Sequence, residues 1–223
     1  MTQEERNKEI LRKYIPELAV DTIVEWIYRY NFKLKVKKAR VSKEGDYTAP
    51  HSGKNHTITI NKDLNKYAFL ITLIHEVAHL VAWEKYKGRV NPHGDEWKNE
   101  YALLLNYFLK LNCSLPNGEG QGGACLFPPE ISKALHEHSQ SPSAASCSDI
   151  HLSRVLKKFD TDTEALLLER IAVGTSFRIV ATRTKHAKEI FIKGEKRRTR
   201  FKCFHARTKR EYLIHALCKV VIC

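Results

Sequence analysis

The stretch His-Glu-Val-Ala-His at residues 75–79 lies inside an apolar run that extends over residues 67–83. The run contains no Gly or Pro, so it predicts one buried helix. Residues four apart on a helix lie one above the other on the same face, so the imidazoles of His75 and His79 can reach one Zn²⁺. Glu76 lies beside them, where a carboxylate can take a proton from a metal-bound water. This spacing predicts zinc-dependent hydrolysis of peptide bonds.

A catalytic zinc site usually has three protein ligands, so the motif needs one more. Three candidates follow it in the chain, namely His93, Glu96 and Glu100. A proline and a glycine flank His93, which allows the backbone to bend sharply there and favours this residue. Glu100, on a helix predicted over residues 95–111, is the main alternative because its spacing is about that of thermolysin-like enzymes.

Two segments resemble the motifs of the SprT-like zinc metallopeptidases, the Spartan-related family. They are His-Glu-Val-Ala-His-Leu-Val at 75–81 and Pro-His-Gly-Asp-Glu-Trp-Lys at 92–98. In that family the second motif supplies the third ligand, so the resemblance implies that His75, His79 and His93 bind zinc and that Glu76 is the base. It covers about residues 10–112.

The resemblance also implies a fold and a class of substrate. The implied fold is a zincin-like metalloprotease core, and the implied substrates are proteins. In the eukaryotic protease Spartan these are proteins crosslinked to DNA.

The cysteines depart from the family, whose members often carry a zinc ribbon of paired cysteines after the core. The six cysteines of this chain include no Cys-x-x-Cys pair. Scattered cysteines are usually small buried hydrophobes, and the close ligand spacing of a structural zinc site is absent. We therefore expect one Zn²⁺ per chain. The weaker alternative is a second metal site built from Cys125, His136, His138, Cys147 and His151.

The composition is ordinary for a globular protein, with 43% hydrophobic and 28% charged residues. Residues 1–8 are polar and lack the apolar centre of a signal peptide. Two histidines and a glutamate interrupt the longest apolar run, so no membrane span and no membrane partner are predicted. Six unpatterned cysteines without an export signal indicate reduced thiols, and we expect a cytoplasmic protein.

The net charge of +13 is unevenly distributed. Residues 178–223 contain 14 Lys and Arg against 3 Asp and Glu, whereas residues 1–177 are nearly balanced, with 24 against 22. A concentrated positive charge indicates an acidic partner for this part of the chain, and nucleic acid is the simplest such partner.

The hydrophobic pattern predicts an α+β chain in three parts. Residues 1–115 are expected to form the metalloprotease core, with helices, a small sheet and the motif helix. Its strand at 56–61 comes directly before the motif helix and is a candidate to pair with an extended substrate. Residues 116–172 read as a Gly/Ser/Pro-rich linker with short helices that pack on the core. Residues 173–223 contain five short β runs, which indicate a small β-barrel-like module of SH3 or OB type.

A basic turn is predicted between two strands of this module, and it consists of Lys193, Lys196, Arg197, Arg198 and Arg200. It lies next to Phe201 and Phe204. Small barrels bind single strands with basic side chains on the phosphates and aromatic rings on the bases, so single-stranded DNA is the expected partner. The alternative is a solubilising basic hairpin whose aromatic rings fill the module's own core.

Taken together, these features predict a zinc-dependent endopeptidase in which Glu76 activates a zinc-bound water and the substrate is a protein. The oxyanion formed during hydrolysis needs a donor besides the metal, and Tyr47 and Tyr101 are the candidates. Two alternatives stay open. One is a non-catalytic zinc-containing protein that binds nucleic acid, in which Glu76 would have no role. The other is a thermolysin-like peptidase that uses Glu100.

Overall fold

The computed structural model describes residues 2–38, 40, 43–114, 125–140, 142, 149–161, 165–180 and 188–223. The chain is mixed α+β and divides into two compact units, Met1–Phe159 and Asp160–Cys223. No helix in the described ranges is long and apolar enough to cross a membrane.

The described part of the first unit contains six helices and three strands. In chain order these are α1 (Gln3–Leu11), α2 (Val20–Arg29), β1 (Phe32–Lys37), β2 (Gly45–Thr48), β3 (His56–Asn61), α3 (Lys66–Tyr86), α4 (Asp95–Ser114), α5 (Pro129–Gln140) and α6 (Ile150–Lys157). A short 3₁₀ turn at Glu17–Ala19 precedes α2.

The three strands form one sheet in the order β1-β3-β2. Strand β1 is parallel to β3, with Phe32 opposite His56, and β2 is antiparallel to β3, with Gly45 opposite Ile60. Strand β3 is therefore the middle strand, and four of its six residues in a row, Ile58 to Asn61, are buried.

Helix α3 is the centre of this unit and confirms the helix predicted over residues 67–83. It begins after Asn65, whose side chain accepts hydrogen bonds from the backbone N–H groups of Tyr67 and Ala68. It ends at Lys87, which has the left-handed conformation common at helix ends. Because the helix is apolar on all sides, it is buried nearly all round.

Helices α5 and α6 belong to the same hydrophobic core as α3. The residues that they and the preceding turn bury in it are Leu126, Phe127, Ile131, Ala134, Leu135, Leu152, Val155 and Leu156. Helix α6 begins after Asp149, whose carboxylate accepts from the N–H groups of His151 and Leu152. Of the predicted linker region over residues 116–172, residues 116–124, 141, 143–148 and 162–164 lie outside the described residues.

The second unit is an antiparallel sheet of six strands. They are β4 (Leu166–Leu167), β5 (Ser176–Ile179), β6 (Ile190–Arg197), β7 (Arg200–His205), β8 (Glu211–His215) and β9 (Lys219–Ile222), in the order β4-β9-β5-β6-β7-β8. The five β runs predicted after residue 173 are thus confirmed as strands β5 to β9. Strand β4 precedes that boundary but pairs with β9, so this unit begins at Asp160.

A closed barrel is not observed in the described part of the second unit, because β4 and β8 stand at the two ends of the strand order. The strand register shifts in β6 between Lys193 and Lys196. Gly194 lies at this irregularity, where a side chain would collide with the backbone carbonyl of Lys202. The core of the sheet includes Phe177, Phe191 and Cys203.

Candidate metal centre

Three imidazole rings converge at one point of the first unit. Nε2 of His79 lies 3.3 Å from Nε2 of His75 and 3.0 Å from Nε2 of His93, and the remaining pair is 3.3 Å apart. Tetrahedral zinc with Zn–N bonds of about 2.0–2.1 Å places two ligand nitrogens about 3.3 Å apart. The three side chains therefore fit a zinc ion with three histidine ligands. Within the described ranges, these three histidines are the group of possible ligands whose atoms lie close enough together to hold one metal ion.

The local backbone explains how the three rings meet. His75 and His79 lie one turn apart on α3, and His93 lies in the turn that joins α3 to α4. His93 has φ +62°, a left-handed conformation that His adopts more readily than β-branched residues do. The N–H of Gly94 donates to the carbonyl of Asn91, which closes this turn.

Trp97, in the first turn of α4, supports all three rings. Its ring centroid lies 4.6 Å from that of His75, 5.1 Å from that of His79 and 4.7 Å from that of His93. Because Trp97 is buried, it fixes the ring orientations by packing. Trp97 belongs to the second sequence motif. Its contact with all three histidines could not be predicted, because that contact depends on how α4 packs against α3.

The electrostatics favour neutral imidazoles, the form that binds metal. Burial, with a smaller effect of the neighbouring histidines, lowers the pKa of His75 to about 3. Burial and then His93 lower the pKa of His79 to about 4. Burial also lowers the pKa of His93.

Glu76 lies on the strand side of the same helix. Its carboxylate accepts a hydrogen bond from the backbone N–H of Tyr47 on β2. Burial, followed by the negative charge of Asp46, raises the pKa of Glu76 to about 8. A side chain at Gly45 would collide with Glu76 and would lie 2.7 Å from Cγ2 of Thr72. Glycine at this position therefore leaves the space that the carboxylate occupies.

The structure brings His93, and not Glu100, to the two motif histidines. The Nζ atom of Lys85 lies 2.7 Å and 2.8 Å from the two carboxylate oxygens of Glu100. This ion pair engages both oxygens, so Glu100 is a partner of Lys85.

The metal centre lies in a segment that matches a known protein family. Residues 13–112 match the SprT-like family. This match identifies residues 13–112 as a SprT-like segment. The matched segment contains all three histidines and Glu76, whereas α5, α6 and the second unit lie beyond it. No solved structure matches the chain.

The strand expected to pair with a substrate lies in the middle of the SprT-like sheet. Both sides of β3 are hydrogen-bonded, to β1 and to β2, so that expectation is wrong. Strand β2 is at the edge of the sheet, and the N–H of Tyr47 points from it toward Glu76. The sequence could not reveal this order, because it depends on pairing between strands far apart in the chain.

The two tyrosines considered as oxyanion donors have different surroundings. The Tyr47 hydroxyl lies 2.8 Å from Nδ1 of His56, whose Nε2 lies 2.9 Å from the Glu84 carboxylate, and the Tyr47 ring is parallel to the His79 ring. Tyr101 is fully buried behind His75. Tyr47 is thus the more exposed of the two tyrosines, and its contact with His56, which pairs with Glu84, was not predicted.

The second metal site considered from the sequence has no support in the described residues. His138 pairs instead with Asp149, at 2.8 Å, and His151 with Glu137, at 3.6 Å. Cys125 is exposed, and Cys147 lies outside the described residues.

The basic turn of the second unit is a hairpin between β6 and β7, and one of its predicted residues does not face solvent. Lys193 is 4% exposed, and its ammonium donates to the carbonyl of Ile171 at 2.6 Å. The ammonium also lies 3.9 Å from the centre of the buried Phe201 ring. Lys193 is therefore a buried structural residue, contrary to its predicted role. The exposed members are Lys196, Arg197, Arg198 and Arg200.

The histidine pKa values predict that the metal-free protein loses stability in mild acid. An unfolded histidine has a pKa of about 6.5, so between pH 6.5 and about 4 the unfolded chain binds protons that folded His75 and His79 do not. Their contribution is therefore fully present above pH 6.5 and falls with pH. We expect a loss of about 2 kcal/mol for each of the two histidines at pH 5, and the raised pKa of Glu76 partly offsets it, because the folded chain keeps a proton on Glu76 that the unfolded chain has lost.

This loss is measured by denaturant unfolding in the presence of a chelator at pH 7 and pH 5. His75→Gln is the matched variant, since it removes one of the two groups and is expected to show a smaller difference. Equal pH dependence in the variant and the natural chain would contradict the assignment of the effect to His75.

Proposed function

We propose that the SprT-like domain is a zinc-dependent endopeptidase. The observation that carries this proposal is the convergence of three histidine Nε2 atoms within 3.3 Å of one another, two of them on the helix that also holds Glu76. A purely structural site would have no use for a buried carboxylate next to its ligands, since burying an ionisable group is costly.

His75, His79 and His93 would hold the zinc ion, which would supply an acidified water and a Lewis acid for the carbonyl of the bond to be cleaved. The Glu76 carboxylate would act as the base that accepts the proton of the attacking water and passes it to the leaving amine. The hydrogen bond from the Tyr47 N–H and the space left by Gly45 hold this carboxylate in place. The Tyr47 hydroxyl would donate to the developing oxyanion when His56 carries both ring protons, because a neutral His56 that donates to Glu84 accepts the proton of this hydroxyl on Nδ1.

The edge of β2 suggests how a substrate is held. An extended peptide can add to a free strand edge through backbone hydrogen bonds, which do not depend on its sequence. Strand β2 offers such an edge next to Glu76, apart from the Tyr47 N–H that donates to Glu76, so we infer that the substrate is an extended segment of a protein. The test of the activity is cleavage of a protein by the zinc-loaded chain, with Glu76→Gln as its inactive counterpart.

We further propose that the second unit binds single-stranded DNA through the β6–β7 hairpin. The supporting observations are four exposed basic side chains on one hairpin and the charge imbalance of residues 178–223. The buried Phe201 belongs to the core, so the expected affinity comes mainly from phosphate contacts. This binding would direct the protease to proteins associated with DNA.

Replacing Lys196, Arg197 and Arg198 together by serine is expected to weaken the binding of a single-stranded oligonucleotide. Each lost phosphate contact lowers the slope of log K against log salt by about 0.7, so three lost contacts lower it by about 2. The measurement is a titration at several salt concentrations. The matched control replaces the exposed Lys33, Lys35 and Lys37 of β1, an equal change of charge in the other unit. Equal weakening by both variants would show that only net charge matters.

A further inference from the structure

Behind His75, where α3 faces α4 and α5, buried polar atoms lack partners. Nδ1 of His75, Nε1 of Trp97, the hydroxyl of Tyr101 and Nε2 of His138 have no hydrogen-bond partner within the described part of the chain. All four side chains are at least 93% buried. An unsatisfied buried polar atom costs about 1–3 kcal/mol, so a cluster of them needs a physical reason.

Three of these side chains are neighbours in a row that ends at a carboxylate. The ring centroid of Tyr101 lies 5.5 Å from that of His75 and 5.7 Å from that of His138. Nδ1 of His138 lies 2.8 Å from Oδ2 of Asp149. The row starts at His75 on α3, continues with Tyr101 on α4 and His138 on α5, and ends at the N-cap residue of α6.

The donors and acceptors of these side chains allow every hydrogen bond along the row to run in the same direction. A carboxylate only accepts, so Nδ1–H of His138 donates to Asp149 and its Nε2 is left as an acceptor. A hydroxyl can donate to that nitrogen and accept another hydrogen bond on its oxygen. If His75 binds metal through Nε2, its Nδ1 carries a proton and needs an acceptor. The order of donation is then His75, Tyr101, His138, Asp149.

We propose that Tyr101, His138 and Asp149 form a hydrogen-bonded chain that orients His75 as a zinc ligand. Ordered water completes the chain where two of its atoms do not touch, since buried polar atoms in such a group are what a buried water binds. A metal-bound histidine generally donates its second N–H to an acceptor of this kind, which fixes the ring and strengthens it as a ligand. The inference rests on the proposed zinc site and assigns positioning roles only.

His138 and Asp149 lie beyond the residues that match the SprT-like family. The helical segment after the matched domain therefore has a function in this chain besides packing. Through Asp149, which is also the N-cap of α6, it connects the start of that helix to the metal ligand.

The test is Tyr101→Phe in the full-length chain, because it removes only the hydroxyl. We expect zinc affinity, measured by competition with a chelator, to fall by about 10–100-fold. The electronic spectrum of the Co²⁺-substituted protein should shift as well, since it reports ligand geometry. Tyr107→Phe is the matched control on the same helix, where the ring is 49% exposed, and it should change neither quantity.

Asp149→Asn is a second variant, since Asn caps a helix about as well as Asp. This substitution removes the negative charge at the end of the hydrogen-bonded chain, so it is also expected to lower zinc affinity. Wild-type zinc affinity in Tyr101→Phe, together with a more stable metal-free protein, would overturn the inference, because the hydroxyl would then be merely unsatisfied. A natural chain that binds no zinc would instead overturn the proposed function and, with it, this inference.

Discussion

Replacing Glu76 by Gln is expected to leave zinc bound and to lower the rate of peptide-bond cleavage by about 10²–10⁴-fold. Gln has nearly the shape of Glu, so the packing against Gly45 and Thr72 is retained. An amide, however, cannot accept the proton of the attacking water. The measurement is cleavage of a DNA-bound protein by the zinc-loaded chain and by the variant, with metal content determined for both.

The control for this experiment is Glu25→Gln, which removes a carboxylate from the exposed surface of α2 and should cleave like the natural chain. Single-stranded DNA is added to one half of the reactions. Cleavage that needs both Glu76 and DNA would show that proteolysis depends on DNA binding. Cleavage that is the same with and without DNA would show that the two activities are independent. Undiminished cleavage by the zinc-loaded variant would be incompatible with Glu76 as the base.

Features that depend on residues close together in the chain could be predicted from the sequence. Helix α3 follows from an uninterrupted apolar run, and the approach of His75 to His79 follows from helical spacing. His93 was favoured because a proline and a glycine allow the turn. The strands of the second unit were predicted because alternation and β-branched residues are local signals.

Features that depend on packing between distant segments could not be predicted in this way. Lys193 looks like any exposed lysine of a basic turn, and only the folded sheet shows its ammonium against Phe201 and the Ile171 carbonyl. The middle position of β3 depends on strand pairing. The pair of His138 with Asp149 was missed because the sequence shows two polar residues on separate helical segments and nothing of the ring stack behind His75.

Replacing His93 by Gly is expected to lower zinc affinity by at least about 10²-fold, because two histidines cannot complete a three-ligand site. Glycine is preferable to alanine here, since His93 has φ +62° and alanine would add backbone strain. The measurement is zinc affinity by chelator competition, with unfolding of the metal-free variant as a check on the fold. The first unit should remain folded, because His93 lies in a turn and outside the apolar core.

The matched variant is Glu100→Gln, which tests the other candidate for the third ligand. Its carboxylate is held by Lys85 in an ion pair, so the amide should leave zinc affinity unchanged and affect only the packing of α4 against α3. Lys85 is 52% exposed and can be hydrated when its partner is lost, which keeps the structural cost small. Loss of zinc from Glu100→Gln with retention in His93→Gly would reverse the assignment and make the site thermolysin-like. Loss of zinc from His93→Gly alone would assign His75, His79 and His93 as the ligands. Glu76, which lies next to His75 on α3, would then be the residue in position to act as the base.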